Sequence, residues 1–241
     1  MIKFFRKIRQ SLLNEGRTTK YVKYAIGEIF LVMIGILLAL QVNNWNENRI
    51  KRQTLKNIYV SIKSDLEEDI KNIDEIIRVN APIEEHYLAI INKKRKREDF
   101  KNCDVCWTIN MGYVDLKIRS NGINLLLDYN KINNTTKDPL TLAINSLFND
   151  LVNDINTDVE ELKKQTQLFI SPIINTKPWF SDLTKGIMSD DFIKYALTNV
   201  RYRNFATMIH YINYKKFIPN LKKFTTRGNE IITLIDKKLQ E

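Results

Sequence analysis

An unbroken apolar run near the N-terminus limits what this chain can fold into more than any other feature. From Ala25 to Val42 it reads Ala-Ile-Gly-Glu-Ile-Phe-Leu-Val-Met-Ile-Gly-Ile-Leu-Leu-Ala-Leu-Gln-Val, with Glu28 the only charge and Gln41 the only other strongly polar side chain. As a helix these residues extend ~27 Å, close to the ~30 Å of a bilayer's hydrocarbon core. Tyr21 and Tyr24 before the run and Trp45 after it stand where interfacial aromatic anchors belong. A core helix of a water-soluble domain keeps one polar face, and this segment has none. A cleaved signal peptide has a shorter apolar region, ~7–15 residues, and a small-x-small cleavage site, whereas Gln41-Val42-Asn43-Asn44-Trp45 follows here. The run therefore predicts a single membrane-spanning helix over 25–42.

Charge bears on orientation and on partners. The chain carries 38 Lys and Arg against 28 Asp and Glu, a formal +10 that invites a nucleic-acid reading. The excess is concentrated, however. Lys3, Arg6, Lys7, Arg9, Arg17, Lys20 and Lys23 face only Glu15 in residues 1–24. Anionic head groups attract such juxtamembrane residues by ~1 kcal/mol each, so lipid accounts for the excess and no nucleic-acid partner is expected. Ile2, Phe5, Ile8 and Leu12 recur at helical spacing among those cations, as in an amphipathic leader lying on the inner leaflet. After the run come Arg49, Lys51, Arg52 and Lys56, fewer than precede it. The bias predicts a cytoplasmic N-terminus, an inner-membrane anchor and a periplasmic C-terminal domain.

Within the run, Glu28 has two readings: a side chain near the interface reaching Lys20, Lys23 or water, or a polar contact with a partner helix. The second would use the small residues Gly27, Gly35 and Ala39 as a packing face for a homodimer or another membrane protein.

Residues 44–241 form the soluble part. Gly and Pro number only 7 and 5, too few for a sandwich of short strands, so an all-α bundle of about five helices is expected. Leu55, Tyr59, Ile62, Leu66, Ile70, Ile73 and Ile77 alternate steps of three and four, which predicts one long helix continuing from the membrane segment and ending at Pro82. A second helix is expected over 83–99, with Lys93 to Arg97 as a solvated basic stretch. Residues 100–137 read poorly; a helical turn at Tyr113, Leu116 and Ile118 before Asn121-Gly122 is the favoured reading. Asp138 and Pro139 look like the N-cap and first residue of a helix striped by Ile144, Leu147, Leu151, Ile155, Val159 and Leu162. A loop with Pro172, Pro178 and Gly186 should follow. Ser189 then caps a helix, with Asp190 and Asp191 in its first turn, reaching Lys215 and Lys216 before Pro219 breaks or kinks it.

The segments Met1-Ile-Lys-Phe-Phe-Arg-Lys-Ile-Arg, Tyr24-Ala-Ile-Gly-Glu-Ile, Ile34-Gly-Ile-Leu and Gln41-Val-Asn-Asn-Trp-Asn-Glu closely resemble a family of uncharacterised single-pass inner-membrane proteins of Bacteroidota. Tyr113-x-x-Leu116 with Ser120-x-Gly122 and Leu126 resembles that family's central segment more weakly. The resemblance implies an inner-membrane protein of unknown function and brings no catalytic residue with it.

Cys103-Asp104-Val105-Cys106 is the only cysteine pair. In an exported domain it can close as a local disulfide, stay as inert thiols, or act in redox chemistry. A zinc site would need further ligands, and His86 and His210 are the only histidines, so no metal or other cofactor is expected. No phosphate loop or hydrolase motif is present. The acidic run Asp65, Glu67, Glu68 and Asp69 reads as a wet helix face. No catalytic residue emerges, and the sequence points to a non-enzymatic binding, sensing or scaffolding subunit of the envelope. The alternative is a redox or hydrolytic enzyme using Cys103 and Cys106 or helix-borne carboxylates.

Overall fold

A computed structural model describes residues 18–100, 103, 105–133 and 138–240, and among these every regular element is helical. Residues 1–17, most of the expected leader, lie outside the described residues, as does the side chain of Tyr21. The chain divides into two compact units, Met1–Leu55 and Lys56–Glu241.

Helix α1 spans Thr18–Asn80, and residues 43–45 are helical within it. In the first unit its apolar residues are exposed among the described residues: Ile29 is 67% exposed, Leu31 59% and Val42 66%. In the second unit α1 is amphipathic. Tyr59, Ile62, Leu66, Ile70 and Ile73 are buried, while Glu67, Glu68 and Lys71 on other faces are exposed.

Around that stripe lie α2 (Ile83–Ile91), a short 3-10 turn (Arg97–Phe100), α3 (Asn121–Asn133), α4 (Pro139–Ser146), α5 (Asn153–Thr176), α6 (Phe180–Leu183), α7 (Asp190–Thr198), α8 (Val200–Ile212) and α9 (Ile218–Gln240). A π-helical turn, Leu147–Val152, joins α4 to α5, and another, Asn213–Phe217, joins α8 to α9. α2 and α5 pack on α8, and α4 on α9. An aromatic cluster fills the space between α5, α7 and α8, with Phe169 stacked on Phe205 at 4.0 Å between centroids.

The caps form as the sequence predicts. Asp138 accepts from the Thr141 amide with Pro139 at the start of α4, and Ser189 accepts from the Phe192 amide at the start of α7. Ile144, Leu147, Leu151, Ile155, Val159 and Leu162 are all buried.

Five expectations are corrected. The helix from 83 stops at Ile91, because Lys93 turns left-handed (φ 55°) and the Lys94 amide reaches back to the Ala89 carbonyl, a C-terminal cap that reverses the chain. Residues 112–120 contain no helical turn; α3 begins at Asn121. Pro172 lies inside α5, not in a loop. Its missing N–H frees the Leu168 carbonyl, which accepts instead from Arg201 at 3.2 Å. The helix from Ser189 breaks at Asn199, whose side chain accepts from the Tyr202 amide and so caps α8. Finally, of the break or kink expected at Pro219, the break does not occur, and the chain stays helical through it. The preceding π turn, with the Ile218 amide bonded to the Asn213 carbonyl, widens the coil where the proline ring would otherwise clash.

Candidate functional site

Two regions hold the residues that the sequence singled out, one in each unit. In the first, Tyr24 is 43% and Trp45 65% exposed, with the Arg49 guanidinium 5.9 Å from the Trp45 ring centre. Gly27 and Gly35 have nothing within 4 Å of where a side chain would begin, and Ala39 is exposed on the same face as Gly35, one turn away. Glu28 is partly covered. The most apolar part of α1 is 0% buried among the described residues, so α1 holds a candidate membrane span.

In the second unit, the acidic run is not a uniformly wet face. Asp69 is 1% exposed and accepts from the Arg119 amide at 2.9 Å and its guanidinium at 2.5 Å, while Glu68 takes the other arm of that guanidinium. Asp65 accepts from the Gly122 amide at 2.9 Å, which caps the first turn of α3. α3 approaches α1 closely here: a Cβ on Gly122 would stand 2.7 Å from the Ile62 amide nitrogen. Residues 119–122 are thus bound to α1 by three carboxylates, Asp65, Glu68 and Asp69. Burial outweighs the ion pair and holds the Asp69 carboxyl above its usual value, while the bond to Asp69 raises Arg119.

The cysteine pair has a setting that sequence reasoning missed. Cys103 and Cys106 form a disulfide, with sulfurs 1.96 Å apart and Cα atoms 5.4 Å apart, across a turn in which the Cys106 amide bonds to the Cys103 carbonyl. His86, on α2, brings its Nδ1 to 4.0 Å from the Cys103 sulfur. Arg95 fills the space among them. One of its terminal nitrogens lies 2.8 Å from His86 Nδ1, and the other donates to Cys103 Sγ at 3.0 Å and to Cys106 Sγ. Because arginine only donates, Nδ1 must be the accepting nitrogen of a neutral His86. Burial, and then Arg95 itself, lowers the His86 pKa below the ordinary histidine value; burial likewise lowers Arg95. The Phe100 ring lies 5.4 Å from the guanidinium and packs edge-on to Phe192.

His86, Cys103 and Cys106 are soft-metal residue types whose ligand atoms all lie within 4.8 Å of one another. All three point at the guanidinium, and disulfide sulfurs carry no thiolate charge to offer an ion. His210 is elsewhere, 3.1 Å from Glu84 and stacked on Tyr214. The reversal at Lys93 assembles the cluster. On the single helix expected over 83–99, His86 and Arg95 would be ~13 Å apart. The basic stretch is thus solvated only in part: Lys93, Lys94 and Lys96 are exposed, Arg95 turns inward, and Arg97 pairs with Asp190 at the start of α7.

No curated protein and no solved structure matches this chain. Residues 28–103, from the candidate span through α2 to the first cysteine, match the model described as a family of unknown function (DUF6090).

Proposed function

We propose that the chain is a single-pass protein of the cell envelope, anchored in the inner membrane through residues 25–42, with an exported helical domain that serves as a binding or scaffolding subunit. The observation that carries this reading is the apolar run of α1, of which 0% is buried among the described residues. Each large apolar side chain left in water forgoes ~1.5–3 kcal/mol, so a segment of this kind requires hydrocarbon or protein around it. The larger number of Lys and Arg before the run supports the outward orientation, and a disulfide belongs to an oxidising compartment.

Binding is favoured over hydrolysis because the chain already uses the groups a hydrolase would need. Asp65 and Asp69 hold backbone amides of residues 119–122, and His210 is engaged by Glu84. An open groove of about 520 Å³ lined by Met111, Tyr113, Thr166, Ile170 and Ile174 offers a largely apolar surface to a partner. Alkaline phosphatase fused after Glu241 should be active and a cytoplasm-dependent fluorescent reporter at the same position dark. The reverse pattern overturns the orientation.

A further inference from the structure

We infer that Cys103 and Cys106 are a reversible thiol–disulfide couple whose reduced state is a thiolate held by Arg95, and that its reaction partner is a dithiol. The inference rests on residues 86–106 alone and holds whichever side of a membrane carries them. A disulfide that only braces a fold is at home among apolar side chains. This one instead receives a partly buried guanidinium. Arg95 makes no ion pair with any described carboxylate: Asp99, whose charge favours the guanidinium from beyond ion-pair distance, accepts from the Lys96 amide, and Arg95 Nε has no hydrogen-bond partner. Its acceptors are two neutral sulfurs, which are weak acceptors, and one imidazole nitrogen. A cation withdrawn from water is poorly compensated by such partners and well compensated by an anion. Reduction supplies that anion where the guanidinium already points.

The geometry also assigns the order of events. Cys103, 7% exposed against 1% for Cys106, is the sulfur an incoming thiolate reaches first. Attack there forms a mixed disulfide and breaks the Cys103–Cys106 bond, and the electron pair leaves on Cys106, directly under the Arg95 guanidinium. The second thiolate of the donor then attacks the donor's own sulfur in the mixed disulfide and displaces Cys103 as a thiolate. The donor dithiol has lost two electrons and two protons and become a disulfide. The Cys pair has gained the two electrons; one proton stays on Cys103, beside neutral His86, and the other passes to solvent. Arg95 is here a positioning residue that stabilises the leaving sulfur.

The test uses the full chain in detergent, reduced with excess dithiothreitol, with the far-ultraviolet thiolate absorbance followed against pH and the Cys103→Ser/Cys106→Ser variant as blank. One thiol should ionise well below the ordinary cysteine value of ~8.5, Arg95→Gln should raise that midpoint so that thiolate at neutral pH falls about tenfold, and Arg95→Lys should restore most of it. If Arg95→Gln fails to fold, the wild-type midpoint and the Arg95→Lys profile decide. A wild-type midpoint near the ordinary value, an identical midpoint in Arg95→Gln, or a disulfide that dithiothreitol opens only in denaturant would each overturn the inference.

Discussion

Residues 26–42 and residues 58–73 belong to the same helix, with the same backbone bonds, yet their apolar side chains meet opposite surroundings. In the first stretch Ile29, Phe30, Leu31, Val32 and Ile36 are each more than half exposed, and at 3.6 residues per turn they surround the axis. In the second, apolar residues other than Val60, which is 53% exposed, keep to one stripe, and Ile62, Leu66 and Ile73 are at most 1% exposed. The contrast shows that α1 is helical for two different reasons. Where the stripe is one-sided, packing against the rest of the domain stabilises the helix. Where it is all-round, none of the described residues does so, and on the reading proposed above a solvent that leaves backbone groups to bond internally takes that part.

Substitutions on α1 can break this contrast. Leu66→Ala should lower the stability of the helical domain by about 3–5 kcal/mol in denaturant titration, whereas Leu37→Ala should change it by under ~0.5 kcal/mol. Equal losses would mean that residue 37 is part of the domain core after all. Gly122→Ala comes next, because its Cβ would press on the Ile62 backbone; a loss of about 2–3 kcal/mol is expected, and a neutral result would show that α3 does not dock this closely on α1.

Electrostatic effects are smaller. Arg119→Ala leaves Asp69 buried with its amide partner alone, an expected loss of about 2 kcal/mol near neutral pH. The Asp69 carboxyl already sits above its usual value, so the folded state takes up the proton first on acidification. The deficit should therefore shrink as pH falls towards that raised value. His86 gives the mildest effect. Its folded value is depressed by burial and by Arg95, with Glu85 opposing, so the unfolded chain binds the proton more readily. Its contribution is complete above the unfolded value of ~6.5 and is lost as pH falls from there through the depressed folded value. The melting temperature should drop between about pH 7.5 and about pH 5.5, with a shallower slope in His86→Gln. An unchanged slope would place the titrating group elsewhere.

How far the sequence revealed this molecule depends on the range of the interaction concerned. The α1 stripe and the caps at Asp138 and Ser189 were legible because each is set by residues within a turn or two. The prolines misled because their cost is settled by groups remote in sequence or by a local change of helix type. Arg201, on α8, satisfies the carbonyl that Pro172 leaves, and a π turn carries the chain past Pro219. Asp65 and Asp69 looked like solvent-facing charge because their partners, the amides of Gly122 and Arg119, are about fifty residues away. The cysteine cluster was hidden by one residue, Lys93, whose left-handed backbone no side-chain pattern announces; glycine or asparagine there would have been a signal.

The membrane claim is tested most directly by washing membranes that carry the full chain with alkaline carbonate. If residues 25–42 lie in hydrocarbon, the protein stays with the sedimented bilayer, and a chain lacking those residues leaves it while its helical domain melts at an unchanged temperature. Release of the full-length chain into the supernatant would contradict the account.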